Sequence, residues 1–168
     1  KSIKIMNDTW ELFFNKETRL FQKNIIKDND LFTSPLDLND SNIPNGNSVY
    51  LLISNKLYSI TNDKIWSERN EVLKKSFHQV LNSYYSQMFS FIKTLDICDN
   101  SLSFTFHGTS QSIKEIQVYL QKEYLGVATF VYQLNNDEKP SVVICKNQTC
   151  SNKLSNLNEA VEYLSKSD

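Results

Sequence analysis

The chain has 168 residues, a formal net charge of -1, and 40% hydrophobic, 12% aromatic and 22% charged residues. This composition excludes a disordered chain, and a chain of this length buries roughly 70% of its unfolded surface, enough for a true core. The 18 basic residues are scattered, with only Lys74 and Lys75 adjacent, which argues against a nucleic-acid or anionic-membrane partner.

No apolar run approaches the ~20 residues of a membrane span. The chain opens at Lys1 with a helical pattern already under way, which reads as the C-terminal part of a larger protein. Lys, Asn, Ile and Ser are abundant and Arg occurs only at Arg19 and Arg69, a bias typical of AT-rich coding. Three cysteines, Cys98, Cys145 and Cys150, are too few for a disulfide-dense secreted framework, so a cytoplasmic location is expected.

In chain order, Ile3, Met6, Trp10 and Phe13 recur at helical spacing and predict an amphipathic helix over 2–15. Asn15 to Pro44 lacks periodicity and reads as a long connection, with Leu31, Phe32 and Leu36 arguing for a packed loop. Val49, Leu52, Ile53, Leu57 and Ile60 form the next stripe, capped by Asn45 or Asn47 and broken at Thr61-Asn62-Asp63. Trp66, Leu73, Phe77, Val80 and Leu81 line a second helix. Ser83 is placed to cap a third, with Tyr85, Met88, Phe89, Ile92 and Leu95 as its stripe. Three such helices predict antiparallel α-hairpins stacked side by side.

The period changes at about Asp99. Leu102, Phe104 and Phe106 alternate as in a strand, Ser110 to Leu125 is helical with Ser112 and Glu115 as a capping box, and Gly126 stops it. Val127 to Tyr132 and Ser141 to Cys145 are two further strands, and Asn156 caps a last helix carrying Leu157, Ala160, Val161 and Leu164. The expected class is therefore α+β: helical hairpins over 1–98, then a small three-stranded α/β subdomain over 99–168.

Two segments are candidates for chemistry. Asp40 to Ser48 joins an irregular loop to a helix N-terminus, where free N–H groups and the dipole favour an anion or a polar ligand oxygen. Asp40, Asn45, Gly46, Asn47 and Ser48 are the candidate ligand residues, although Asn, Gly, Pro and Ser also serve any ordinary loop-to-helix junction. Cys145 and Cys150, with four residues between them at a strand end, suit a disulfide, a redox pair or half of a metal site. Alternatively, Cys145 simply continues the apolar run of Val142, Val143 and Ile144. His107-Gly108-Thr109-Ser110 follows a strand and precedes a helix but has too few glycines for a nucleotide fingerprint. His78 sits on a helix between Phe77 and Val80, and Tyr84 and Tyr85 read as core. No catalytic residue set emerges, and no cofactor or metal is expected.

In order along the chain, Asp40, Pro44 and Gly46-Asn47-Ser48, a helical hairpin from Val49 to Leu81, and Val143-Ile144-Cys145 with Cys150 form an ordered set. It resembles the C-terminal region of the large thioredoxin-domain family that includes the spermatogenesis-associated proteins and bacterial relatives. The chain departs from that pattern at Asn45, where the family has Ser, and at Lys153-Leu154, where it has Pro.

The resemblance implies a partial α/α toroid similar to N-acylglucosamine 2-epimerases and other six-hairpin sugar enzymes, closed by a small α/β tail. It implies that the loop-to-helix segment faces a pocket for a polar or sugar-like ligand. It further implies that the partners are the toroid and thioredoxin-like domains of the same protein. Alternatives are an interaction domain that docks those parts or a second copy, and a thiol redox role for Cys145 and Cys150.

Overall fold

The computed structural model describes residues 1–25, 35–124, 126–135, 139–146 and 149–166. Two compact units are formed by Lys1–Cys98 and Asp99–Asp168. Leu31 and Phe32, expected to pack in the long loop, lie outside the described residues.

The first unit begins with α1 (Ser2–Phe13), which buries Met6 and packs Trp10 and Phe13 on the same core. The helix stops earlier than its periodicity suggests because Asn15 turns the chain: its Oδ1 accepts from the backbone N–H groups of Glu17 and Thr18. Arg19 then takes a left-handed φ of 58°, and the chain returns on itself. The result is an antiparallel ribbon of β1 (Phe14–Asn15) and β2 (Leu20–Phe21).

α2 (Gly46–Thr61) follows with Asn45 as its N-cap, accepting from Ser48 N–H. Asn62 at φ 53° ends it, and Asp63 caps α3 (Lys64–Tyr84) through Ile65 N–H. α3 turns its predicted stripe inward at Trp66, Leu73 and Phe77. A single 3-10 turn (Tyr85–Gln87) leads to α4 (Phe89–Asn100), whose Phe91 stacks on Phe77.

Two expectations for these helices are corrected. Ser83 is not a cap, because α3 runs through it to Tyr84. The inward residues of this third segment are Met88, Phe91, Thr94 and Cys98, while Tyr84, Tyr85, Phe89 and Ile92 face solvent. An apolar stripe read with the wrong phase selects the opposite side of a helix, and here the 3-10 turn resets the phase.

The partial α/α toroid is likewise corrected. The described residues form a mixed α+β structure with a two-stranded and a four-stranded sheet, and no arrangement of toroid hairpins is evident among them. A ring of hairpins needs helix following helix. Here a β-ribbon and the long segment before Gly46 separate α1 from α2.

In the second unit β3 (Leu102–Gly108) is central, parallel to β4 (Ala128–Leu134) and antiparallel to β5 (Ser141–Lys146). The expected three strands become four: β6 (Thr149–Cys150) pairs with β5, giving the order β4-β3-β5-β6. Leu102, Phe104 and Phe106 alternate inward as their pattern predicts and share a core with α5 (Lys114–Glu123) and α6 (Leu157–Ser165).

The Ser112–Glu115 capping box does not form. Ser112 Oγ instead accepts from Thr109 N–H at 3.0 Å, and Ile113 is the N-cap. The box is made at α6, where Asn156 Oδ1 accepts from Glu159 N–H at 3.0 Å and Glu159 Oε2 accepts from Ser155 N–H at 2.7 Å. Gly108 sits at φ +123°, and a Cβ there would meet Pro140 Cα at 3.2 Å. No helix among the described residues is long and apolar enough to cross a membrane.

Phe104 is fully buried at the centre of the sheet. Phe104→Ala is expected to lower the stability of this unit by about 3–5 kcal/mol, through lost transfer energy and the cavity left behind. Urea titration followed by far-UV circular dichroism measures the loss, and a change below about 1 kcal/mol would contradict the central packing of this ring.

Candidate functional site

Asp40, Asn45, Gly46, Asn47 and Ser48 converge at the N-terminus of α2. Asp40 is the organising anion. Its Oδ1 accepts from Asn45 N–H at 3.0 Å, Asn45 Nδ2 at 2.9 Å and Ser90 Oγ at 2.5 Å, and its Oδ2 accepts from Ser90 N–H at 2.7 Å. Burial pushes the Asp40 carboxyl upward. The hydrogen bonds from Ser90 and Asn45 together outweigh that and hold it below its ordinary value of 3.8.

Ser90 was not anticipated, being far from this segment in sequence. It stands at the start of α4 and joins two helix N-termini. Its Oγ lies 2.7 Å from Ser48 Oγ and 3.1 Å from Asn45 Nδ2. A carboxylate between two such ends answers the positive end of each dipole with one charge.

Gly46 also has a physical reason. Its N–H donates to Asp37 Oδ2 at 2.5 Å, and a Cβ at this position would meet that oxygen at the same 2.5 Å. The close approach that glycine allows is therefore made by the chain's own Asp37. Sequence spacing gave no signal for Asp37 beyond its being one more acidic residue in an Asp- and Asn-rich loop.

Asn47 is 0% exposed, and its amide extends the pairing that Leu36 and Asp37 make with the outer side of β2. Its Oδ1 accepts from Phe21 N–H at 2.8 Å, and its Nδ2 donates to Phe21 C=O at 3.3 Å and to Asp37 C=O at 2.7 Å. Ser48 Oγ donates to Asn45 C=O at 2.7 Å. Both amide hydrogens of Asn45 and of Asn47 thus have partners inside the chain. What the residues do here is join β2, the loop, α2 and α4.

Arg69, on α3, completes the neighbouring polar layer. Its guanidinium lies 4.8 Å from the Trp10 ring centroid and 5.1 Å from that of Trp66. It donates to Asn7 Oδ1 at 2.8 Å and to the Tyr50 hydroxyl at 2.9 Å. Burial raises the Tyr50 pKa above 10.0, and the charge and hydrogen bond of Arg69 only partly oppose it.

In the second unit Cys145 and Cys150 face each other across β5 and β6 and are joined as a disulfide, with Cα atoms 4.0 Å apart. With both sulfurs so engaged, the pair is not half of a metal site. Cys98 is a buried thiol on α4. His107 lies on β3 opposite Gln133 and Ser141, and His78 is exposed on α3.

The chain matches no protein-family model and no curated protein. The resemblance to the thioredoxin-domain family therefore rests on the motifs of this sequence alone.

Two outcomes test this junction. Asn47→Ala is expected to cost about 1–3 kcal/mol, because it strands the buried N–H of Phe21 and removes the bond to the half-buried Asp37 C=O. The urea midpoint read from Trp10, which packs against Phe21 and Tyr50, measures it, and an unchanged midpoint would contradict this role.

The second concerns pH. The folded Asp40 carboxyl is depressed, so its contribution is complete above its unfolded value of 3.8 and is lost as pH falls through the lower folded value. Stability should therefore decline at acid pH, and Asp40→Asn should flatten that decline while lowering stability at neutral pH. An acid limb of equal slope in the variant would refute the assignment.

Proposed function

We propose that the chain is a docking module, whose first unit presents a helical face to the rest of a larger protein. The observation that carries this reading is the orientation of α2. The helix turns Asn47, Ser48 and Ser54 inward beside Tyr50 and Leu51, and it leaves Val49, Ile53 and Ile60 outward at 40%, 37% and 53% exposure. On a surface helix the aliphatic stripe ordinarily faces the core and the polar side faces water. Here α2 buries Asn47, Ser48 and Ser54 along with Tyr50 and Leu51, and leaves a second, aliphatic strip outside.

At 3.6 residues per turn Val49, Ile53 and Ile60 fall in one narrow strip, on the side opposite Asn47, Ser54 and Tyr58. Ile5 and Leu12 form a similar outward pair on α1, at 55% and 51% exposure. Covering the exposed remainder of such side chains contributes roughly 1 kcal/mol each, so five of them supply a useful share of a specific interface.

The polar junction supports this reading. Asn47 and Ser54 are held inside by defined partners, Asn47 by Phe21 and Asp37 and Ser54 by Asn70 and its own helix backbone. Rotating α2 to hide its aliphatic strip would expose these bonds and break them. The strip therefore stays outward unless another surface covers it.

The occupant we assign is the preceding part of the same protein, the partner that the family resemblance supplies. Lys56, the one basic residue of α2, lies exposed on this same side beside Ile53 and Ile60, and a strip that is otherwise aliphatic suits packed helices better than a charged ligand. The expected behaviour of the isolated chain is concentration-dependent self-association with binding of an apolar dye. The double variant Ile53→Glu, Ile60→Glu should be a monodisperse, folded monomer that no longer binds the dye. Light scattering with circular dichroism decides it: a wild-type chain that stays monomeric and dye-free at the highest attainable concentration would overturn the proposal.

A further inference from the structure

We infer that the Cys145–Cys150 disulfide is a thiol–disulfide exchange site, open to an external dithiol while the second unit stays folded. The inference is independent of the docking face.

Position is the first ground. β6 is the outermost strand of its sheet, only two residues long, and both Thr149 and Cys150 are exposed. Cys145 is half-buried on β5, between β6 on one side and Ser103 of β3 on the other. An attacking thiolate must reach one sulfur in line with the S–S bond, and access selects which one. Here that sulfur is Cys150.

The second ground is that the unit does not depend on this bond for its remaining C-terminal contacts. Ser151 N–H donates to Ile144 C=O at 2.8 Å, and Ile144 N–H donates to Ser151 Oγ at 3.0 Å. Val142 and Leu154 exchange two backbone hydrogen bonds of 2.9 Å each. Ala160 of α6 is buried in the core shared with β3 and β5. Opening the disulfide releases the short β6 pairing and leaves the sheet, Leu154 and α6 in place.

The reaction balances with a dithiol as co-reactant. One thiolate of the dithiol attacks Cys150 Sγ, forming a mixed disulfide, and the Sγ–Sγ bond breaks with its electron pair leaving on Cys145, which takes a proton from water. The second thiolate of the dithiol then attacks its own sulfur in the mixed disulfide and releases Cys150, which is protonated in turn. The chain gains two electrons and two protons, and the dithiol becomes a disulfide. A disulfide of this kind fits a redox-responsive role, whereas a purely structural one is shielded from exchange.

The experiment uses the whole chain with dithiothreitol as the probe, followed by iodoacetamide and peptide mass spectrometry, with circular dichroism recorded on the same samples. The expected result is alkylation of Cys145 and Cys150 with Cys98 unmodified and the spectrum retained. With oxidised glutathione, Cys145→Ser should carry one glutathionyl group on Cys150, and Cys150→Ser should lose nearly all of that adduct. Three outcomes would overturn the inference: reduction only under conditions that also abolish the folded spectrum, equal glutathionylation of the two variants, or two free thiols in the native chain that oxidised glutathione fails to join.

Discussion

A ribbon of two-residue strands leaves backbone groups that its own partner cannot satisfy. In Phe21 the N–H and C=O point away from β1, in a buried position where unmet hydrogen bonds are costly. Asn47 Oδ1 meets the N–H, while the C=O accepts from Asp37 N–H at 2.9 Å and from Asn47 Nδ2 at 3.3 Å, whose other hydrogen reaches Asp37 C=O. One side chain thereby ties the ribbon, the loop and the first turn of α2 together. Asn suits this position because an amide carries both an acceptor and two donors, as a peptide group of a neighbouring strand would.

Much of the first unit follows from that tie. With Asn47 turned inward, Ser54 is inward two turns on, where it meets Asn70 of α3, and Tyr50 lies between them against Phe21. The same rotation sends Val49, Ile53 and Ile60 to the outside. Asp40 supports the arrangement from the other end, since its carboxylate joins the caps of α2 and α4 through Asn45 and Ser90. Buried Asn47 and Ser54 among the core residues and an aliphatic strip outside are thus two consequences of a single orientation.

The second unit is organised differently. Its strength lies in the apolar alternation of β3, covered by α5 and α6, and its disulfide lies at the margin, on a strand of only two residues. Such separation is physically reasonable: a buried central strand tolerates little change, whereas an edge strand of two exposed residues can open at small cost.

The sequence alone determined those features that depend on local spacing. The inward face of α3, the alternation at Leu102, Phe104 and Phe106, the break at Asn62-Asp63 and the caps at Asn45 and Asn156 all follow from neighbours within a few residues. Tertiary structure decided the rest. Val49, Ile53 and Ile60 read as a core stripe because periodicity identifies an apolar side but not which side is covered. The ribbon escaped notice because it depends on the Asn15 turn and on Asn47, 26 residues from Phe21. Ser90 and Asp37 joined the polar junction for the same reason. A hydrogen bond across such a span leaves no periodic trace in the chain, and only the folded arrangement brings its two ends together.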